Sequence, residues 1–211
     1  MAAPEAASGV YGRTSSGPGY VAASLAFANH WMSTDRTSFA SDQLTVKFNA
    51  QSYGGRIEAG YRIAAPLIAA TPYAAINAQA FATPAYSESD PSGGGFGLNY
   101  AGRTATDTRA ELGSRFDRAL ALDATSLLML RAKLGYAHDW VSNPALAAVF
   151  QALPGTNFIV TGATPARDSA LASAGAELRF ASGLSFSTKF DGEFAQHSQT
   201  YGGTATVRYA W

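Results

Sequence analysis

The chain has 211 residues, enough for one domain with a sizeable core. Only 14% are charged, the formal net charge is zero and there is no cysteine, which excludes disulfides, cysteine-based sites and a surface basic enough for nucleic acid. No run of about 18 apolar residues occurs, so no transmembrane helix is expected. The start, Met1-Ala-Ala-Pro-Glu5, carries an acid where a secretory leader would carry Lys or Arg, so it reads as a fragment boundary or a misplaced start.

The pattern that repeats along the chain is alternation with a period of two, the signature of a β-strand with one apolar and one polar face. Residues 7–14 read as a short strand, and 1–18 as that strand or a tail. Segment 20–31 places Val21, Ala23, Leu25, Phe27 and Trp31 on one face. Segment 53–63 sets Tyr53, Ile57, Ala59, Tyr61 and Ile63 against Arg56, Glu58, Gly60 and Arg62. Segment 68–81 sets Ala74, Ile76 and Ala78 against Tyr73, Asn77 and Gln79. Segments 103–116, 128–140, 170–180 and 184–194 repeat the alternation. In the second of these, Leu128, Leu130, Ala132, Leu134, Tyr136 and Trp140 oppose Arg131, Lys133, Gly135 and Asp139.

The last segment, Tyr201 to Trp211, puts Trp211, Tyr209, Val207, Ala205 and Gly203 on one face. A strand that stops on an aromatic is the ordinary ending of an outer-membrane barrel. Asn143–Leu153 has helical spacing, with Leu146, Val149, Phe150 and Leu153 on one side, and is expected as a loop helix.

The connections alternate in length. Ser15–Gly19, Ala64–Leu67 and Ala181–Gly183 are short. Ser33–Ser52, Thr83–Gly102 and Val141–Ser169 are long, and Phe116–Leu127 is intermediate. Short periplasmic turns and longer outer loops are a barrel feature. The fold class expected is all-β: an antiparallel up-and-down transmembrane β-barrel of the outer-membrane type, single-domain over 1–211, with nine strands of about 9–13 residues, near the ~9–11 that cross a tilted span. Aromatic girdles are expected at Tyr20, Tyr61, Phe116, Phe180, Tyr209 and Trp211 on the periplasmic side, and at Trp31, Tyr53, Trp140 and Phe194 on the outer side.

Charge is nearly excluded from one face of every strand, which points to lipid there, because Arg or Lys at mid-depth costs ~2–4 kcal/mol. The polar face is expected to line the lumen. Its candidates are Arg56, Glu58, Arg62, Arg109, Glu111, Arg115, Arg131, Lys133, Asp139, Glu177, Arg179, Lys189, Asp191, Glu193 and Arg208. Asp191 and Glu193 lie about 6–7 Å apart on one face, a spacing open to acid/base work, but nearby Arg179 and Arg208 favour an ion-pair network. His30, His138 and His197 fall at the outer rim. Ser142, His138 and Asp139 have the residue types of a hydrolytic triad, yet no Gly-x-Ser-x-Gly elbow accompanies them. Gly93 to Gly97 lacks the Lys-Ser/Thr of a phosphate loop. No catalytic residue, metal site or cofactor is assigned.

Taken together, several stretches resemble the C-terminal translocator domain of autotransporters, the type V secretion β-barrel. They are Tyr53-Gly-Gly-Arg-Ile-Glu-Ala-Gly-Tyr-Arg62, Thr71-Pro-Tyr-Ala-Ala75, Thr108-Arg-Ala-Glu-Leu-Gly-Ser-Arg115, Leu134-Gly-Tyr-Ala-His-Asp139 and Leu153-Pro-Gly-Thr-Asn-Phe158. Gly162, Arg167-Asp168 and Asp191-Gly-Glu-Phe194 follow in order. The resemblance implies a twelve-stranded barrel with a helix through its pore, so these nine strands would correspond to the fourth through twelfth and the chain would be a truncated form.

It also implies an outer-membrane location and export and anchoring of an N-terminal passenger domain of the same precursor. The barrel-assembly machinery would read Trp211, Tyr209, Val207 and Ala205 as its signal. The partners expected are thus outer-membrane lipid, that machinery and the passenger. A free-standing eight-stranded barrel acting as porin, adhesin or anchor is the alternative, and a rim hydrolase using His138 and Asp139 is a third reading. Upstream sequence encoding a passenger and pore helix would decide for the translocator.

Overall fold

A computed structural model describes residues 5–38, 42–142, 145–162 and 166–211. Nine long strands form one antiparallel sheet. They are β1 (Glu5–Ser16), β2 (Gly19–Thr37), β3 (Gln43–Tyr61), β4 (Ala69–Thr83), β7 (Arg103–Ala121), β8 (Ser126–Val141), β11 (Asp168–Phe180), β12 (Leu184–Ala195) and β13 (Ser198–Tyr209). Each pairs with its neighbours in chain order, as an up-and-down meander requires. Among the described residues β1 pairs only with β2 and β13 only with β12, so these two are the sheet's edges. The sheet curls. Side chains from β1 through β13 line one cavity of about 1100 Å³ on its concave side.

Every segment read as a strand from alternation is a strand, but several run longer. Residues 33–52, expected as a long loop, are mostly the outer ends of β2 and β3. Residues 116–121 likewise extend β7. Turns at the opposite end are tight. Gly17 takes φ of 56° between β1 and β2, a conformation that a Cβ would strain. Between β7 and β8 the Asp123 carboxylate accepts the Thr125 N–H and hydroxyl, both at 2.7 Å, closing an Asx turn.

The connections at the outer end build a second, four-stranded sheet, which we term the cap. It contains β5 (Tyr86–Ser87), β6 (Leu98–Tyr100), β9 (Ala145–Phe150) and β10 (Asn157–Thr161), in the order β10-β9-β6-β5. The expected helix over 143–153 is therefore corrected. Residues 145–150 are a strand, held by ladders to β10 and β6, and long-range pairing overrides the local helical spacing of a short apolar run. Asn143 and Pro144 lie outside the described residues.

The cap is fastened to β3 by a two-way bridge between Thr45 and Ser89 and by stacked rings, Phe48 on Tyr86 at 4.2 Å and Tyr86 on Tyr100 at 4.6 Å. Arg36 on β2 forks onto Glu88 at 2.6 Å and also donates to the Phe96 carbonyl. Leu44, Val46, Leu98 and Ala148 are buried. The glycine-rich stretch is a turn capped by Asp90, whose two oxygens accept the Gly93 and Gly95 amides at 2.8 Å.

Candidate functional site

In β3 the even residues face the cavity side and the odd residues face away. Register with β2 is unbroken from Gln43 to Tyr61, so this parity never changes. From Tyr53 to Tyr61 the outward side chains Tyr53, Ile57, Ala59 and Tyr61 are exposed and apolar, while inward Glu58 is buried. The same holds on β8. Leu134 is 59% exposed, whereas its neighbour Lys133 turns inward to Glu111 at 3.5 Å and lies over the Tyr73 ring.

Eight of the inward charges form one connected network. Glu58 is its first hub. It accepts Tyr20 Oη at 2.7 Å, Arg56 at 2.6 Å and both Arg115 terminal nitrogens at 2.7 Å. Arg56 continues to Asn77 at 2.9 Å and to Glu111 at 3.2 Å. Glu111 also takes Arg109 at 3.7 Å, and Arg109 reaches Asp139 at 3.3 Å and Glu193 at 2.9 Å. Carboxylates buried this far need such partners, because an unpaired buried charge is costly.

The remaining residues of the polar face lie toward the short turns. Arg62 forks onto Asp117, Arg131 and Arg179 share Glu177, and Lys189 pairs with Asp191. Arg208 lines the cavity beside Thr206. Backbone approach is part of the design at Gly60, where an added Cβ would lie 2.5 Å from the Tyr20 ring.

Tyr20 corrects one expectation. The sequence predicts a place for it in the periplasmic aromatic girdle, but it points inward, 8% exposed, onto Glu58 and Arg115. The alternation already held the signal, since Val21 and Leu25 occupy the opposite parity. Asp117 and Arg13, both at the cavity, lay outside the expected site residues. At the chain end Val207, Tyr209 and Trp211 are exposed, and the Tyr209 and Trp211 rings meet at 6.4 Å. The triad types do not assemble. Ser142 bonds Thr106, Asp139 faces inward to Arg109, and His138 Nδ1 bonds Asp168 at 2.7 Å with Tyr136 joining the same carboxylate. His30 bonds Ser52 at 2.9 Å and His197 sits in the turn before β13.

A meander with charge on its concave face and apolar side chains around its exterior is the arrangement of an outer-membrane β-barrel wall. The chain belongs to the autotransporter beta-domain family, whose model matches residues 6–191. Its fold is similar to the crystal structure of the beta domain of the Bordetella autotransporter BrkA. The TM-score is 0.66 at 16% identity, covering 98% of this chain and 73% of that one. A comparison with curated proteins gave no match. The protein is accordingly an outer-membrane β-barrel translocator domain serving a passenger.

Proposed function

We propose that the charged concave face is the pore lining through which the passenger, carried on the same precursor, crosses the outer membrane. The apolar exterior meets lipid, and the barrel-assembly machinery recognises the terminal strand through Trp211, Tyr209, Val207 and Ala205. The domain acts by transport, not catalysis. The observation that carries the reading is the separation of faces: a continuous ion-pair network inside and exposed Ile57, Leu112, Leu134 and Val207 outside. Water solvates the first and hydrocarbon the second.

The experiment is display of a protease-sensitive reporter placed ahead of the domain in its full precursor. The reporter is expected on intact cells, digestible by external protease. Trp211→Ala is expected to leave the precursor in the periplasm, a loss out of proportion to the ~1.5–3 kcal/mol of burying one aromatic side chain. A reporter that stays internal with wild-type domain in the outer membrane would contradict export. Normal outer-membrane amounts of Trp211→Ala would contradict the recognition role.

A further inference from the structure

The cavity end near the short turns carries an excess of positive charge. Eight cationic and three acidic side chains line it. Four of the cations pair with a carboxylate other than Glu177. Arg115 has Glu58 and Lys133 has Glu111, both set deeper in the face, while Arg62 has Asp117 and Lys189 has Asp191. Four arginines remain. Arg131 and Arg179 divide Glu177 between them, at 3.0 and 2.6 Å. Arg13 lies over the Tyr20 ring at 4.1 Å and, like Arg208, has no acidic partner among the described residues.

These four guanidinium groups come from β1, β8, β11 and β13 and face a common space with one carboxylate among them. A guanidinium fork matches a carboxylate with two parallel hydrogen bonds. The volume, about 1100 Å³, is above the roughly 300–1,000 Å³ of small-molecule pockets and is open along the sheet, which suits a length of chain better than a single metabolite.

We propose that this end of the pore face is a docking site for an acidic stretch of the exported polypeptide, gripped by Arg13, Arg131, Arg179 and Arg208. The inference rests on the translocator reading and adds the chemistry of the segment that the pore holds.

The test is fluorescence anisotropy on the full chain refolded in zwitterionic micelles, its folding checked by heat-modifiable migration. The probes are a glutamate-rich peptide, its lysine counterpart and tripolyphosphate. The acidic peptide is expected to bind saturably and to weaken with added salt, and the lysine peptide not to bind. Combined Arg131→Gln, Arg179→Gln and Arg208→Gln should weaken the acidic peptide about tenfold or more. Glu177→Gln should tighten it, because it frees two arginines, and a gain cannot come from misfolding.

Equal binding of both peptides, no binding to folded wild type, or affinity unchanged by the arginine and Glu177 substitutions would overturn the proposal. Full displacement of the peptide by tripolyphosphate at lower concentration would also overturn it, assigning the site to phosphate instead. Reporter display reads export separately, so a domain that exports its passenger yet binds no acidic peptide refutes this inference alone.

Discussion

The wall and the outer end that carries the cap differ in what they bury, and β3 runs through both. Between Tyr53 and Tyr61 its outward residues are apolar and its inward ones include Arg56 and Glu58. Between Gln43 and Gln51 the outward residues are Gln43, Thr45, Lys47, Asn49 and Gln51, and inward Leu44, Val46 and Ala50 are buried. The backbone register is continuous across the boundary, so the strand does not turn over; its side chains exchange places. In the wall, apolar groups face out and ions face in. In the cap, apolar groups face in, as in a water-surrounded core. The switch near Tyr53 marks where the exposed side of the strand changes from apolar to polar.

The largest expected effect comes from breaking the wall's interior. Glu58→Ala strands the Arg115 guanidinium, removes the acceptor of the Tyr20 hydroxyl and takes one of two carboxylates from Arg56, and should cost about 3–5 kcal/mol in urea unfolding of the refolded domain. A loss of only a few tenths would mean that the network is hydrated and slack.

A smaller effect tests the exterior. Leu134→Arg should cost about 2–4 kcal/mol at mid-depth, while Lys133→Leu, one residue away, costs less. Heat-modifiable migration of the two variants would show it, and equal behaviour would break the contrast between faces.

The smallest effect lies in the cap. Burial pushes the Glu88 carboxyl up, but Arg36 and the Leu98 amide outweigh burial and hold it below the usual carboxylate range. A depressed carboxylate stabilises the fold above its unfolded value, about 4.3, and that contribution disappears as pH falls through the lower folded value. Protection of the Leu98 amide, measured against its intrinsic exchange rate, should therefore fall in acid. Glu88→Gln should remove that acid dependence and lose about 1.5–3 kcal/mol of local protection at neutral pH.

All nine long strands are legible in the sequence, because each alternates apolar and polar residues with a period of two. The outer half of β3 was equally legible in pattern, since Leu44, Val46, Phe48 and Ala50 alternate with Thr45, Lys47 and Asn49. The expectation of a long connection over Ser33–Ser52 passes over that pattern. For Tyr20, parity outweighs ring type: it lies on the face opposite Val21 and Leu25. The cap strands were not legible. β5 and β6 are two and three residues long, and β9 pairs on one side with β6, far away in sequence. Which carboxylate meets which guanidinium depends on register between strands, as with Arg109 and Glu193, and no single segment contains that information.

The central claim is that one face of the wall meets water and the other lipid, with the assignment reversing for apolar residues above Tyr53. Because the chain holds no cysteine, single substitutions give unique labels. Lys133→Cys, Arg56→Cys and Thr206→Cys should react with a water-soluble maleimide in reconstituted membranes. Leu134→Cys, Ile57→Cys and Val207→Cys should resist it and, once labelled before reconstitution, be quenched by lipid-borne nitroxide. Above the boundary Lys47→Cys should react and Val46→Cys should not. Water-soluble labelling of Leu134→Cys and Ile57→Cys, with Lys133→Cys and Arg56→Cys quenched from the lipid, would contradict the account.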